Sequence, residues 1–155
     1  MFWIIIVAVI ALDQFTKYLI VHSLALGESM PVIKNFLDFT YTLNKGASFS
    51  IFQGQRVIFI IITIAVLIFV FWALKRVPKD MRLFRVFLAL FCGGTIGNLI
   101  DRIYLGSVID FVNLGWFPVF NVADSCISVS AIMICAMLLF GKPSRLLDKK
   151  KEKSV

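Results

Sequence analysis

The sequence predicts a mainly α-helical membrane protein: a bundle of four transmembrane helices with a small extracytoplasmic β-sheet between helices 1 and 2. The first observation is composition, since 60% of the 155 residues are hydrophobic and only 16% are charged, against about 25% in an average soluble domain. The others are four long apolar stretches and one polar segment with a period of two. This composition excludes a disordered chain, a collagen-like repeat and an ordinary soluble globule.

Four stretches are long enough, or nearly so, to cross the membrane, which takes roughly 20 apolar residues. We expect a single integral-membrane domain over residues 1–155. Asp13 and Lys17 interrupt the first stretch and no Lys or Arg precedes it, so we expect a retained helix and not a cleaved signal peptide. The four stretches cover residues 2–24, 57–74, 83–100 and 122–140.

The basic residues predict the orientation of these helices. The net charge is +7, and most of the Lys and Arg residues cluster in residues 75–85 and 142–153. Positive clusters flanking membrane helices stay in the cytoplasm. Both termini and the basic tail 141–155 are therefore expected inside, and the two longer connections outside. No soluble module remains that would bind nucleic acid.

The outside segment 27–56 has the pattern of a β-structure. Apolar and polar residues alternate over 37–43, which is typical of a strand with one apolar face. Residues 44–46 (Asn-Lys-Gly) indicate a turn, and the alternation resumes over 47–51. We expect a β-hairpin here, or a small twisted sheet, at the outer surface. In the second outside connection, 102–121, the aromatic side chains suit the membrane interface: Trp116, Phe117 and Phe120.

Ionisable side chains within the spans are the first functional candidates, because each costs about 3 kcal/mol at mid-helix. Asp13 and Lys17 are spaced i, i+4 and should form an ion pair. That pair is equally compatible with a purely structural role. The others are Asp101, Arg102 and Asp124, near the outer ends of the third and fourth spans.

The third span carries a glycine stripe that leads to polar residues. Gly93 and Gly97 form a G-x-x-x-G pattern. Asn98 lies one helical turn before Asp101 and Arg102. On its own, the stripe is typical of close helix packing, with Asp101 and Arg102 as a cap at the interface.

The fourth span begins with polar residues on one face, Asn121, Asp124, Ser125 and Ser128. N-capping explains Asn121 well. It explains Asp124 less well, because a carboxylate in a first helical turn is normally solvated and this one begins a span.

The carboxylates are expected to converge at one depth, just below the outer surface. Two carboxylates that share a site cannot both ionise easily, so one can act as base toward water while the other donates to a carbonyl oxygen. This is the chemistry of an aspartic peptidase, and it uses no metal and no cofactor. His22 is the one histidine, so an H-E-x-x-H motif is excluded. No Ser-His pair is available inside the spans, and His22 is expected at the membrane interface.

Five blocks occur in the order found in the lipoprotein signal peptidases, bacterial signal peptidase II, and the chain resembles that family over nearly its whole length. The resemblance implies an inner-membrane aspartic endopeptidase with an outside sheet called the β-cradle. It implies removal of the signal peptide from diacylglyceryl-modified prolipoproteins, just before the lipidated cysteine. The blocks are DQFTK (13–17), NKGASF (44–49), GGTIGNLIDR (93–102), VIDF (108–111) and FNVAD (120–124).

The resemblance also implies roles for individual residues. Asp101 and Asp124 map to the catalytic pair, and the role of Asp110 stays open. The expected partners are the prolipoprotein signal peptide with its diacylglyceryl-cysteine, membrane lipid and globomycin-type inhibitors, with no nucleic acid; the chain is expected to be a monomer. Substrate-binding or supporting positions are Asn44, Gly46, Asn98, Arg102, Asn121, Asp13 and Lys17.

Two other functions fit a small bundle with buried charges. One is a proton-coupled carrier, which would need polar residues along the full depth of the membrane; the second span contains only Thr63 as a polar side chain. The other is a non-enzymatic assembly protein whose carboxylates hold helices together. An Asp→Asn change at 101 or 124 discriminates, because it keeps the shape but removes the acid-base pair.

Overall fold

The computed structural model describes residues 1–46 and 55–140, and four long helices dominate it. Each is long and apolar enough to span a membrane, which confirms the predicted four-helix architecture. The third helix extends past the predicted end at residue 100, so Asp101 and Arg102 belong to its last turns. The tail 141–155 lies outside the described residues. The helices are α1 (Phe2–Ser23), α2 (Arg56–Leu74), α3 (Arg82–Tyr104) and α4 (Val122–Phe140).

Helix α3 is the centre of the bundle. It packs against each of the other three helices, whereas α2 packs chiefly against α3. We call the end of the bundle with the α2–α3 loop (residues 75–81) the loop end, and the opposite end the sheet end. The main apolar core lies toward the loop end and includes Phe2, Ile6, Leu67, Val70, Phe84, Leu88 and Cys92.

The glycine stripe of α3 is covered by α1. A Cβ atom added to Gly93 would lie 2.8 Å from the Cβ of Val9, and one added to Gly97 would lie 2.6 Å from Oδ2 of Asp13. Only glycine permits this separation of the two helices. The structure therefore supports close helix packing as the role of the stripe, because α1 covers it.

A three-stranded antiparallel sheet covers the sheet end, in the order β1-β2-β3. The strand predicted at 37–43 is confirmed as β2. The sheet is not confined to the segment between the first two helices, since its third strand comes from the α3–α4 connection. The predicted second hairpin strand, 47–51, lies outside the described residues. The strands are β1 (Ser29–Ile33), β2 (Leu37–Asn44) and β3 (Val108–Asn113).

The register between β2 and β3 shifts between Phe39 and Thr42. Thr42 pairs with Asp110, and Asn44 pairs with Val108. Asn44 is thus a diagonal neighbour of Asp110, a position from which side chains on one face can meet. Irregularities of this kind re-aim side chains and are frequent beside active sites.

Candidate active site

Most polar side chains singled out in the sequence meet at the sheet end, where α1, α3, α4 and β3 come together. Among the described residues, every fully buried side-chain nitrogen or oxygen atom has a hydrogen-bond partner. The group is therefore a connected network, which fixes its members in single positions. Its buried members are Asp13, Lys17, Asn98, Asp101, Asp110 and Asn121.

Lys17 holds the first part of this network together. Its Nζ lies 2.8 Å from Oδ2 of Asp13, so the predicted ion pair is present, and 2.8 Å from Oδ2 of Asp101. It also donates to Oδ1 of Asn98 at 2.9 Å. The second oxygen of Asp13 accepts the backbone N–H of Ala123 at 2.9 Å, where the N-terminus of α4 favours a negative charge. The cluster ties α1 to both α3 and α4.

Asp101 belongs to this ion cluster. Besides Lys17, its Oδ2 accepts the backbone N–H of Ile109 at 3.1 Å, and its Oδ1 accepts Nε2 of Gln14 at 2.9 Å. Both carboxylate oxygens are engaged by protein groups, and the side chain is only 3% exposed. Asp101 therefore anchors the start of β3 to α1 and α3.

Asp124 lies in the first turn of α4 and takes part in its capping. Oδ1 of Asn121 accepts the N–H of Asp124 at 2.8 Å, and Oδ2 of Asp124 accepts the N–H of Asn121 at 3.3 Å. This reciprocal arrangement is a capping box, so the predicted N-cap is confirmed and includes the carboxylate. The other oxygen of Asp124 accepts Nδ2 of Asn98 at 2.7 Å.

Asp110, whose role the sequence left open, is a buried member of the same network. Its Oδ1 accepts Nδ2 of Asn121 at 2.7 Å, and its Oδ2 accepts Nδ2 of Asn44 at 3.0 Å. Burial raises the pKa of Asp110 to about 7, and the negative charge of Asp124 adds to this. The two amide hydrogen bonds and the charge of Lys17 oppose the rise only in part.

A cavity of about 570 Å³ opens onto this network, with α2 on one side and α4 on the other. Its charged and amide-bearing lining residues are Asn44, Asn98, Arg102, Asp110 and Asp124, and Phe59, Thr63, Phe117, Phe120 and Ile127 are among its other lining residues. Among the described residues, the carboxylates that line it are Asp110 and Asp124.

The structure thus separates the two carboxylates assigned as a pair from sequence. Asp124 lines the cavity, whereas Asp101 does not and is instead bound by Lys17, which also donates to Asn98. The second carboxylate at the cavity wall is Asp110. A sequence signal for Asp110 existed, because a carboxylate within the apolar run 108–112 is costly to bury unless it is hydrogen-bonded or paired. Gln14, which bridges α1 to Asp101, carried no such signal.

Arg102 provides positive charge beside the cavity. Its Nη2 donates to the backbone oxygen of Gly46 at 3.4 Å, and its guanidinium lies 5.2 Å from the ring centroid of Phe59. The N–H of Gly46 in turn donates to Oδ1 of Asn44 at 3.0 Å. The turn after β2, the end of α3 and the start of α2 therefore meet at one rim.

Comparison with known proteins agrees with this architecture. A family model described as Signal peptidase (SPase) II matches residues 5–140. The lipoprotein signal peptidase of Caldanaerobacter subterraneus subsp. tengcongensis is 45% identical over 138 residues, covering 88% of this chain and 94% of that protein. That of Halalkalibacterium halodurans is 43% identical over 139 residues, covering 86% and 89%. A solved bacterial membrane enzyme superposes with a TM-score of 0.86 at 36% identity, covering 89% of this chain and 87% of the other. The chain therefore belongs to the signal peptidase II family.

Proposed function

We propose that this chain is the aspartic endopeptidase that removes the signal peptide from diacylglyceryl-modified bacterial prolipoproteins, just before the lipidated cysteine. Membership of a peptidase family favours this function over a carrier or an assembly protein. The observation that carries the proposal is the pair of carboxylates on one cavity, at one end of a bundle of membrane-spanning helices. No cofactor and no metal is required.

We assign Asp110 and Asp124 as the catalytic pair, in place of Asp101 and Asp124. Both line the cavity, and burial together with the negative charge of Asp124 raises the pKa of Asp110. Asp101 is better suited to positioning, because it does not line the cavity and its charge is paired with Lys17 at 2.8 Å. Asn121 contacts both members of the assigned pair.

The chemistry follows from a pair that holds one proton. The raised pKa of Asp110 supports it as the protonated member at neutral pH. Asp124 takes a proton from a water molecule as that water attacks the scissile carbonyl carbon, and Asp110 donates its proton to the carbonyl oxygen. As the tetrahedral intermediate collapses, one of its hydroxyl groups returns its proton to Asp110, the C–N bond breaks, and the proton on Asp124 passes to the leaving amine.

The cavity walls support an apolar peptide substrate. A signal peptide is itself an apolar helix, and the α2 wall contributes Phe59 while α4 contributes Ile127. Asn44, Gly46 and Arg102 at the rim offer polar groups to a peptide backbone. The diacylglyceryl chains can remain in the surrounding lipid. A globomycin-type inhibitor would occupy the same cavity.

The chain is a multi-pass membrane protein, and its orientation is part of this proposal. The basic loop 75–81 and the basic tail 141–155 support cytoplasmic termini. The sheet end, with its active site and the β-cradle, then lies near the outer face of the bacterial inner membrane. All parts of the mechanism come from one chain, so a single integral-membrane domain acting as a monomer is sufficient.

The test compares cleavage of a purified diacylglyceryl-modified prolipoprotein by the wild type and by Asp110→Asn, Asp124→Asn and Asp101→Asn. The first two variants should keep the wild-type unfolding temperature and lose activity by about 10²- to 10⁴-fold, as expected for removal of a general acid or base. Asp101→Asn should instead lower the unfolding temperature and keep cleavage per folded molecule. Asp38→Asn, a half-buried carboxylate of β2, is the matched control and should behave as wild type.

Two outcomes would contradict the proposal. If Asp110→Asn cuts normally while a folded Asp101→Asn variant is inactive, the pair is Asp101 and Asp124. If the wild type never cuts the lipidated substrate, the assigned function itself is wrong.

A further inference from the structure

A second cavity, of about 490 Å³, lies at the loop end of the bundle. The first turn of α1, the last turn of α2 and the start of α3 enclose it. Between Arg82 in this cavity and Asp101 in the ion cluster, α3 rises roughly 28 Å. The loop-end cavity is therefore separate from the active site and has no part in the peptidase chemistry. It is lined by Met1, Phe2, Trp3, Leu74, Lys79, Arg82 and Arg85.

The polar side of this cavity is strongly positive. Lys79 and Arg82 are exposed, and Arg85 is half-buried. Both ion pairs in the described part of the chain are formed by Lys17, so these three cations face one cavity without a carboxylate partner there. Nη1 of Arg85 donates to the backbone oxygen of Val77 at 3.0 Å, which fixes that guanidinium at the cavity wall. The arrangement favours an anionic ligand.

The other side of the cavity is apolar and faces outward. Trp3 is 64% exposed and stacks on Phe71 of α2 with ring centroids 5.6 Å apart. Leu74 continues the same surface. A small free anion would make no use of this surface. An amphipathic anion would contact both the basic and the apolar side of the cavity. A Trp beside a cluster of basic residues is also typical of the membrane–water interface.

We propose that the loop-end cavity binds the phosphate of an anionic phospholipid, with Lys79, Arg82 and Arg85 on the headgroup and with Trp3 and Leu74 on the first part of the acyl chains. Basic pockets between transmembrane helices on the cytoplasmic side are suited to such headgroups. The ligand comes from the leaflet that faces the basic loop. The site ties the beginning of α1 to the α2–α3 loop, and it is independent of the catalytic proposal.

The test uses the purified, delipidated full chain in neutral detergent. Phosphatidylglycerol or phosphatidylcholine is added, and binding is followed by native mass spectrometry and by the unfolding temperature. Phosphatidylglycerol should bind and raise the unfolding temperature, whereas phosphatidylcholine should do neither. Inorganic phosphate and glycerol 3-phosphate are added in separate samples. If the natural ligand were a free phosphate compound, they would raise the unfolding temperature as much as phosphatidylglycerol does.

Two double variants remove the same charge from the same end of the bundle. Lys79→Gln/Arg82→Gln changes the cavity and should weaken phosphatidylglycerol binding at least about tenfold. Lys75→Gln/Arg76→Gln leaves the cavity lining intact and should bind as wild type. If the Lys79→Gln/Arg82→Gln protein does not accumulate, the single variant Arg82→Gln takes its place in the binding measurement. Trp3→Ala should weaken binding of the lipid and leave any effect of inorganic phosphate unchanged.

Three results would overturn the proposal. Equal losses of phosphatidylglycerol binding in both double variants would mean that the lipid is attracted generally to the basic loop end and does not occupy a defined site. An equal effect of free phosphate would mean that the lipid chains play no part. Equal binding of phosphatidylcholine would mean that the three cations do not select the ligand.

Discussion

At the scale of single residues, the site depends on a buried cation that serves two carboxylates. Lys17 is 2% exposed and lies 2.8 Å from both Asp13 and Asp101. A buried charge requires a partner of opposite sign, and removing one partner leaves the others uncompensated. The cluster is therefore a condition for folding of the sheet end, while catalysis is assigned to carboxylates outside it.

Replacing this cation should destabilise the protein strongly. Lys17→Met leaves Asp13 and Asp101 buried without a cation and should cost about 3–5 kcal/mol of unfolding free energy. The measurement is the unfolding temperature in detergent, together with the amount of protein in the membrane fraction. Lys45→Met, at an exposed position on the same side of the molecule, is the control. An unchanged unfolding temperature in Lys17→Met would contradict the role given to the cluster.

The electrostatic link between Asp110 and Asp124 can be measured directly. Because the negative charge of Asp124 helps to raise the pKa of Asp110, Asp124→Asn should lower that pKa toward the usual acidic range. Burial should keep it above the value of a free Asp. Carbon-13 NMR of the Asp carboxyl groups, recorded against pH, gives the answer, and an unchanged pKa would mean that the two side chains are not coupled.

The same shift sets the expected pH dependence of cleavage. Asp110 is assigned as the acid, and burial raises its pKa to about 7, so the protonated form is lost as pH rises through that region. Cleavage per folded enzyme should therefore fall on the alkaline side, with an apparent pKa that belongs to the pair. A rate that keeps rising well above pH 8 would exclude Asp110 as the proton donor.

Local contacts of the site were predictable from sequence, and distant ones were not. The Asp13–Lys17 pair and the cap at Asn121 follow from spacings of three and four residues within one helix. The contact of Asp110 with Asn44 joins two residues that lie 66 positions apart in the sequence, on different strands. It depends on the register of β2 and β3, which no local pattern specifies. Asp101 was assigned from its place at a helix end and from the family resemblance, while the role of Asp110 could not be predicted.

At the scale of elements, the helices were predictable because their apolar lengths match the membrane. Two of the three strands were not. β1 contains Pro31, which interrupts a strand pattern and is tolerated at a sheet edge. The first four residues of β3 are all buried, so apolar and polar positions do not alternate there, and periodicity cannot identify such a strand.

The close approach of α3 to α4 gives a prediction at the same scale. A Cβ atom added to Gly94 would lie 2.5 Å from the backbone oxygen of Ala123, and a backbone atom cannot give way as a flexible side chain can. Gly94→Ala should therefore separate the two helices and cost about 1–3 kcal/mol. The unfolding temperature measures the loss, and activity should fall with it because Asp124 moves with α4.

The control for this change is Cys135→Ala, a small substitution on an exposed part of α4. It should leave both the unfolding temperature and activity unchanged. If Gly94→Ala were as stable and as active as wild type, the close contact of the helices would not be needed.

At the scale of the whole molecule, the orientation in the membrane can be tested with cysteines. In a variant without Cys92, Cys126 and Cys135, a cysteine introduced at Lys34 should react with a membrane-impermeant thiol reagent added outside intact spheroplasts. A cysteine introduced at Arg76 should react only after the membrane is opened. Both positions are exposed, so reactivity reports sidedness. The reverse result would invert the proposed topology.

The packing of α2 has a consequence for how such an enzyme diversifies. Helices α1, α3 and α4 share the buried network, whereas α2 packs chiefly against α3 and contributes Phe59 and Thr63 to the cavity wall. Substitutions on that wall leave both ion pairs of Lys17 in place. The shape of the cavity can therefore change through substitutions in α2 with little effect on folding or on the carboxylates.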